Sequence, residues 1–192
     1  MNSSPNKNIV LTLYRTDRSV FKFHDIALIT GITDFQSLNN KVNYAVRSGR
    51  LLNPRKGIYA KPGYHAEEMA CTVYTPSYIS LEYVLQKAGI VFQYDSGITP
   101  VSYLSRAIVV DGRQYRYRKM KGELLVNTPG IDNQANGVNI ALPERAFLDM
   151  LYLEKTYYFD NLSPLDKKKV YQILPLYRSK TLIQKVVKLI KK

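Results

Sequence analysis

Cysteine is almost absent from this 192-residue chain, which has only Cys71, and histidine is limited to His24 and His65. A single cysteine excludes an intramolecular disulfide framework and a multi-cysteine zinc site. Two histidines are too few for an ordinary transition-metal site. We therefore expect no bound metal and no other cofactor.

Long apolar runs are also missing. No segment approaches the roughly 18 unbroken apolar residues that a bilayer-spanning helix needs. Residues 1–7 are polar and lack the apolar stretch of a secretory signal. The sequence thus predicts a reduced, soluble, cytoplasmic protein with no membrane partner.

Acidic residues are scarce. Only 15 Asp and Glu oppose 28 Lys and Arg, which gives a formal net charge of +13 at pH 7. Such an excess attracts polyanions, so nucleic acid or an anionic membrane surface is the first class of partner to consider. The chain is nevertheless 45% hydrophobic, with 16 Tyr and 6 Phe, which indicates a folded protein.

The positive charge is concentrated in the first third of the chain. Residues 1–63 hold 10 basic and 3 acidic side chains, whereas residues 64–192 hold 18 and 12. The character of the sequence changes near Pro62-Gly63, so we expect two domains, 1–63 and 64–192. The first has the size and charge of a small DNA-binding module.

Three helices are predicted in the first domain. Apolar spacing places them at about 9–14, 23–29 and 34–48. Gly31 is expected to end the second helix, and Asp34 is expected to cap the third.

A hairpin is predicted over 51–60. Asn53 and Pro54 suit the first two positions of a type I turn, and Gly57 suits the bulge that follows it. Three helices followed by a hairpin is the order of a winged helix-turn-helix.

The third helix carries a polar face. Four residues share the side opposite its apolar stripe at spacings of i, i+4, i+7 and i+11, namely Gln36, Asn40, Asn43 and Arg47. Amide side chains can pair with adenine and arginine with guanine, and the face has no carboxylate that DNA would repel. A merely solvated face is the alternative, but such a face ordinarily mixes acids with lysines. The residues expected to contact double-stranded DNA are Gln36, Ser37, Asn40, Lys41, Asn43, Tyr44, Arg47, Arg50, Arg55 and Lys56.

The second domain is predicted to mix helices and strands, so that the whole chain is α+β: a winged helix-turn-helix followed by a mixed α/β domain with C-terminal helices. The expected elements are helices at 67–73 and 78–88, a hairpin around Asp111-Gly112, a strand at 138–141, a helix opened by Pro143, and final helices at about 164–174 and 179–191.

Four blocks of sequence resemble the AbiEi antitoxin family. They are Leu52-Asn53-Pro54-Arg55-Lys56-Gly57-Ile58-Tyr59, Pro76-Ser77-Tyr78-Ile79-Ser80-Leu81-Glu82, Tyr115-Arg116-Tyr117-Arg118 and Ala141-Leu142-Pro143-Glu144-Arg145-Ala146-Phe147-Leu148-Asp149-Met150-Leu151-Tyr152. They follow the family's order and extend over about residues 5–155.

This resemblance implies a type IV toxin–antitoxin system of the kind linked to phage defence by abortive infection. The N-terminal winged helix would bind operator repeats upstream of its own operon and act as an autoregulating transcriptional repressor. The C-terminal domain would neutralise a toxin of nucleotidyltransferase type. By position, the family's DNA-contacting helix and wing fall on Gln36–Arg47 and Arg50–Lys56.

Two further basic segments each allow two interpretations. The strand that carries Arg113, Arg116, Arg118, Lys119 and Lys121 is either an edge strand protected by its charge or a second contact with nucleic acid or toxin. Alternation should place its arginines and tyrosines on opposite faces. The lysine-rich last helix either packs on the core, which we favour, or adsorbs to a membrane.

No recognisable catalytic grouping is present, and we do not expect an enzyme. A metal-dependent nuclease could be assembled from Asp95, Asp111, Glu123 and Lys121, but acids scattered in this way arise easily by chance. The other alternative is an interaction module whose basic surface grips an acidic protein.

Overall fold

The computed structural model describes residues 8–93 and 95–190 and is a mixed α+β structure, with nine α-helices and two sheets within those residues. The chain divides into two compact units. The first comprises the described residues up to Val73 together with Ala135–Gly137, and the second comprises Tyr74–Gln134 and the described residues from Val138 onward. The polar segment 1–7 and Lys191, the last residue of the predicted final helix, lie outside the described residues.

The first unit contains four helices and a three-stranded sheet. In chain order these are α1 (Ile9–Tyr14), β1 (Val20–Lys22), α2 (Phe23–Thr30), α3 (Phe35–Arg47), β2 (Leu52–Arg55), β3 (Ile58–Ala60) and α4 (Ala66–Val73).

The three predicted helices of this unit are confirmed, and so are their boundary signals. Gly31 ends α2 in the left-handed region with φ of 68°. The Asp34 side chain accepts a hydrogen bond of 2.7 Å from the Ser37 backbone N–H and so caps α3. The apolar face of α3 packs into a core that also holds Leu13 and Phe21.

The sheet differs from the predicted hairpin in two respects. Its order is β1-β3-β2, all antiparallel, and β1 was not expected. The turn lies at Lys56-Gly57, so the prediction that Asn53 and Pro54 form it is wrong. Both lie within β2, where the pairing register shifts; proline is tolerated there because β2 is an edge strand.

Helix α4 belongs to the first unit, so the boundary between the units falls after Val73, later than the division expected at 63/64. One carboxyl oxygen of the buried Glu68 accepts hydrogen bonds from the backbone N–H groups of Ser19 (2.5 Å) and Val20 (3.1 Å). A pairing of residues so distant in sequence leaves no local signal.

The second unit contains a six-stranded sheet and five helices. Its elements are β4 (Ser77–Ile79), α5 (Leu81–Lys87), β5 (Pro100–Ser102), β6 (Arg106–Val110), β7 (Arg113–Lys119), α6 (Gly122–Leu125), β8 (Ile131–Asn133), β9 (Asn139–Ala141), α7 (Pro143–Leu153), α8 (Lys167–Ile173), a 3₁₀ turn (Leu174–Tyr177) and α9 (Lys180–Ile190).

The sheet order is β6-β7-β5-β4-β9-β8, with parallel pairing of β7 with β5 and of β4 with β9. The hairpin around Asp111-Gly112 is confirmed. The helix predicted over 78–88 is only partly correct, because it begins at Leu81 and the residues before it form strand β4. Strand β8 was not predicted.

Helix α7 lies at the centre of the helical layer and contacts α5, α8 and α9. Pro143 occupies its first turn, as expected. The apolar face of α9 is buried, and the Lys185 ammonium donates to the backbone carbonyls of Leu151 and Glu154. The prediction that the last helix packs on the core is therefore confirmed. Among the described residues, no helix has the length and apolar character needed to cross a bilayer.

Candidate nucleic-acid interface

The polar face of α3, formed by Gln36, Asn40, Asn43 and Arg47, is exposed along its whole length. Leu38, Val42 and Ala45 are buried on the opposite side, as the spacing predicted. The Gln36 amide nitrogen donates a hydrogen bond of 3.2 Å to the Asn40 side-chain oxygen, so these two amides act as one unit. The helix therefore presents a row of amides that ends in a guanidinium.

Lys41, Tyr44 and Arg50 come together beside this face. They line a surface cleft of about 360 Å³ with Asn8, Ile9, Val10 and Ala45. The Arg50 guanidinium lies 5.1 Å from the centroid of the Tyr44 ring, which is a cation–π arrangement. The cleft thus places two cations and an aromatic ring where a phosphate group could bind.

The loop after α3 is fixed by local hydrogen bonds. The Arg50 Nε donates to the Ser48 hydroxyl at 3.0 Å, and the Tyr14 hydroxyl donates to the Arg50 carbonyl at 3.0 Å. Both bonds hold Arg50 next to the end of α3. Ser37 is half-buried, and its backbone N–H donates to the Asp34 cap. A contact between its hydroxyl and DNA stays a prediction.

Arg55 and Lys56 lie on a separate element, at the turn between β2 and β3, and do not line the cleft. Lys56 is exposed and Arg55 is half-buried. The Asn53 side chain donates to the carbonyls of Arg55 (3.0 Å) and Ile58 (2.8 Å) and so braces the base of this turn. Arg55 and Lys56 are therefore carried on a hairpin that the Asn53 side chain stabilises.

The basic strand of the second unit has a structural explanation different from the one expected. Strand β7 lies between β6 and β5, so the edge-strand interpretation is wrong. Alternation is as predicted, with Tyr115 and Tyr117 buried. Arg116 forms an ion pair with Asp95, and Arg118 forms one with Glu154.

The remaining basic side chains of this strand, Arg113 and Lys119, are exposed at its two ends. Its two central arginines bind carboxylates of the same unit, so they are already neutralised in part. The hydrogen bond from Arg116 lowers the pKa of Asp95 below its ordinary value. A second nucleic-acid or toxin contact at this strand stays a prediction.

Two of the acids considered for a nuclease line the same cleft. Asp95 and Asp111 line a cleft of about 580 Å³ together with basic and neutral side chains, including Lys87 and Arg113. Glu123 is absent from this lining and instead lies 3.9 Å from Arg178 on the surface. Within residues 8–93 and 95–190, no group of three or more His, Cys, Asp or Glu could hold a metal ion.

Sequence reasoning missed a buried polar network in the second unit. Arg145 and Asp149, one turn apart on α7, are fully buried and 3.3 Å apart. The Asp149 carboxylate also accepts hydrogen bonds from the hydroxyls of Tyr78, Ser80 and Tyr177 at 2.6–3.0 Å. The signal was an i, i+4 pair of opposite charges within an apolar helix.

Burial dominates the electrostatics of this network. It raises the pKa of Asp149, although Arg145 and the hydroxyl donors act in the opposite direction. It also raises the pKa values of Tyr78 and Tyr177 well above the ordinary value. Both hydroxyls therefore stay protonated at neutral pH and act as donors to the carboxylate.

Comparison with known proteins adds no identification. No known family model matches this chain, and no curated protein sequence matches it. The likeness to the AbiEi family therefore depends on the four sequence blocks alone and stays a prediction.

Two of these blocks supply most of the buried network, and Tyr177 lies outside them. The block at 76–82 supplies Tyr78 and Ser80, and the block at 141–152 supplies Arg145 and Asp149. The block at 52–59 coincides with the hairpin of β2 and β3. The block at 115–118 supplies the buried tyrosines and the paired arginines of β7. All four blocks thus have a structural reason for residues in them, which is independent of any likeness.

Proposed function

We propose that the protein is a DNA-binding transcriptional repressor whose first unit is a winged helix-turn-helix. In this proposal α3 enters the major groove of double-stranded DNA as the recognition helix, and the turn between β2 and β3 is the wing. The single observation that supports it best is the exposed, acid-free polar face of α3.

The roles of individual residues follow from their chemistry. Gln36, Asn40, Asn43 and Arg47 reach base edges, because amides and guanidinium groups match the hydrogen-bonding pattern of the major groove. Lys41, Tyr44 and Arg50 hold one backbone phosphate at the cleft beside α3, and Arg55 and Lys56 hold another. Phosphate contacts set the position on the duplex and base contacts set the sequence.

The antitoxin role is part of the same proposal but rests on the AbiEi resemblance. In this role the protein is cytoplasmic and represses its own operon by binding operator repeats. It would thereby limit its own synthesis and that of the toxin. The second unit would counter a nucleotidyltransferase-type toxin. Co-expression with the product of a neighbouring nucleotidyltransferase-like gene tests this part: growth should be restored by the full chain, and failure to restore it counts against the antitoxin role alone.

DNA binding is tested by fluorescence anisotropy with DNA from immediately upstream of the gene and with a scrambled duplex of equal length. We expect tighter binding to the upstream DNA, with log K falling by about 0.9 per phosphate neutralised for each unit of log salt. Arg47→Ala should cost about 1–3 kcal/mol on the upstream DNA and relax base preference.

Arg106→Ala provides the matched control, since it removes the same charge from an exposed position on the second unit that is outside the predicted nucleic-acid contacts. It should leave sequence preference unchanged. Equal binding of both duplexes by the wild type at about 150 mM salt, a concentration at which nonspecific binding is weak, would favour the protein-interaction alternative.

A further inference from the structure

The first residue of α3, Phe35, carries an exposed aromatic side chain. Phe35 is 66% exposed. The N-cap of α3 is Asp34, and its buried stripe begins at Leu38. Phenylalanine is a mediocre helix former, so local propensity gives no reason for it at this position.

One aromatic ring, that of Phe23, packs against Phe35. The centroid of its ring lies 5.2 Å from that of Phe23, at an interplanar angle of 54°. The Phe23 ring in turn lies 6.3 Å from that of Tyr59 in β3. Phe23 is half-buried against the core of the first unit. The Phe35 ring therefore rests on a fixed support, and most of its surface faces solvent.

The amide pair that follows Phe35 has a defined polarity. Because the Gln36 nitrogen donates to the Asn40 oxygen, the Gln36 oxygen and the Asn40 nitrogen are left to accept and to donate outward. In the major groove adenine offers an N6 donor and an N7 acceptor. The pair is thus complementary to the edge of adenine.

Thymine is the one base that presents a methyl group in the major groove, and apolar side chains contact it there. The N-terminal residues of a recognition helix are those that reach base edges. We propose that Phe35 is a specificity-determining residue that packs on the C5-methyl group of a thymine, so that the first turn of α3 selects A·T pairs. This inference rests on the DNA-binding function proposed above and adds the class of base that is read.

The test removes the methyl group and nothing else. The upstream DNA is synthesised once with thymidine and once with deoxyuridine at every thymidine position, and both are titrated by fluorescence anisotropy. Wild-type protein should bind the deoxyuridine duplex about fourfold more weakly for each methyl group that it contacts. Phe35→Ala should bind both duplexes equally. Phe35→Leu keeps an apolar side chain and should retain part of the discrimination.

Phe92→Ala is the matched control, because Phe92 belongs to the second unit and is 68% exposed. It should discriminate between the duplexes as the wild type does. Circular dichroism spectra of the variants establish that each is folded. Any loss of discrimination in Phe35→Ala is then not a general effect of removing an exposed ring.

The outcomes distinguish failure of the thymine contact from failure of the proposed DNA binding. If wild-type protein shows no preference for the upstream DNA over a scrambled duplex, the DNA-reading function fails and the thymine contact fails with it. If the preference exists but deoxyuridine DNA binds equally well, only the thymine contact is overturned. The proposal is also overturned if Phe35→Ala binds both duplexes more weakly by the same factor, so that the preference for thymidine DNA persists. A role of Phe35 in self-association would give that result.

Discussion

Replacing Arg145 with methionine should lower the free energy of unfolding by about 3–5 kcal/mol, which is the usual effect of removing one member of a buried ion pair. Methionine keeps much of the length of the side chain, so the change removes hydrogen bonds without opening a large cavity. The perturbation therefore isolates the polar contribution of the guanidinium.

The contacts of Arg145 account for this magnitude. Its guanidinium donates to the Asp149 carboxylate, to the Tyr78 hydroxyl (3.0 Å) and to three backbone carbonyls, of which Leu124 is the closest at 2.7 Å. A hydrogen bond contributes about 1 kcal/mol net, so the loss of five agrees with the range expected for the ion pair. The total stability of a domain is only about 5–15 kcal/mol, so the effect is large.

Urea unfolding followed by circular dichroism measures the loss, because the chain has no tryptophan for a fluorescence assay. Hydrogen exchange of the α7 amides reports the second unit separately. Arg113→Met makes the same chemical change at an exposed site and should alter stability by less than about 0.5 kcal/mol.

A loss below about 1 kcal/mol for Arg145→Met, equal to that of the Arg113 control, would refute the reasoning. A second variant strengthens the test. Combining Arg145→Met with Asp149→Leu removes both charges, so the double variant should be less destabilised than the sum of the two single changes.

Three further predictions concern single hydrogen-bonded groups. Glu68→Leu should cost about 2 kcal/mol or more, because it leaves two backbone N–H groups at the start of β1 unpaired; unchanged hydrogen exchange there would contradict this. Arg116→Ala should raise the pKa of Asp95 towards its ordinary value of 3.8, as read by NMR titration of the carboxyl. Since the pKa of Asp95 is lowered in the folded state, this pair stabilises the protein at neutral pH and ceases to do so as the pH falls through the lowered pKa. Solvent screens the pair, so its contribution should stay below about 1 kcal/mol. Asn53→Ala should speed hydrogen exchange in β2 and β3 about tenfold, since two hydrogen bonds at the base of the turn are lost.

The exposed face of α3 could be predicted because helical periodicity is a local property. The apolar spacing from Leu38 to Ala45 fixes which side is buried, and a capping aspartate marks the start of the helix. Once the buried side is known, the positions of Gln36 and Arg47 on the surface follow by geometry.

The strands could not be predicted in the same way, because their partners are distant in sequence. Val20–Lys22 is only three residues long and pairs with residues 58–60, so no local pattern reveals it. Ser77–Ile79 continues directly into an apolar helix, and only its pairing with β5 and β9 makes it a strand. In the hairpin, Arg55 pairs with Ile58, which places the turn at Lys56-Gly57 and away from Asn53.

The buried network escaped prediction for a different reason. Charged residues on a helix are normally exposed, so Arg145 and Asp149 suggest a solvated face when only the sequence is considered. Their burial depends on Tyr78 and Tyr177, which come from elements far along the chain. Only the folded unit brings the donors and the carboxylate together.

Strand β3 lies in the middle of its sheet and is paired on both sides, with β1 and with β2. The turn that carries Lys56 is consequently the end of a hairpin that is paired on both sides of β3, and not an unsupported loop. A ligand that meets this turn finds its backbone already ordered, so complex formation there loses little chain entropy. The speed of association at this point will then be set by diffusion and charge and not by a search through loop conformations.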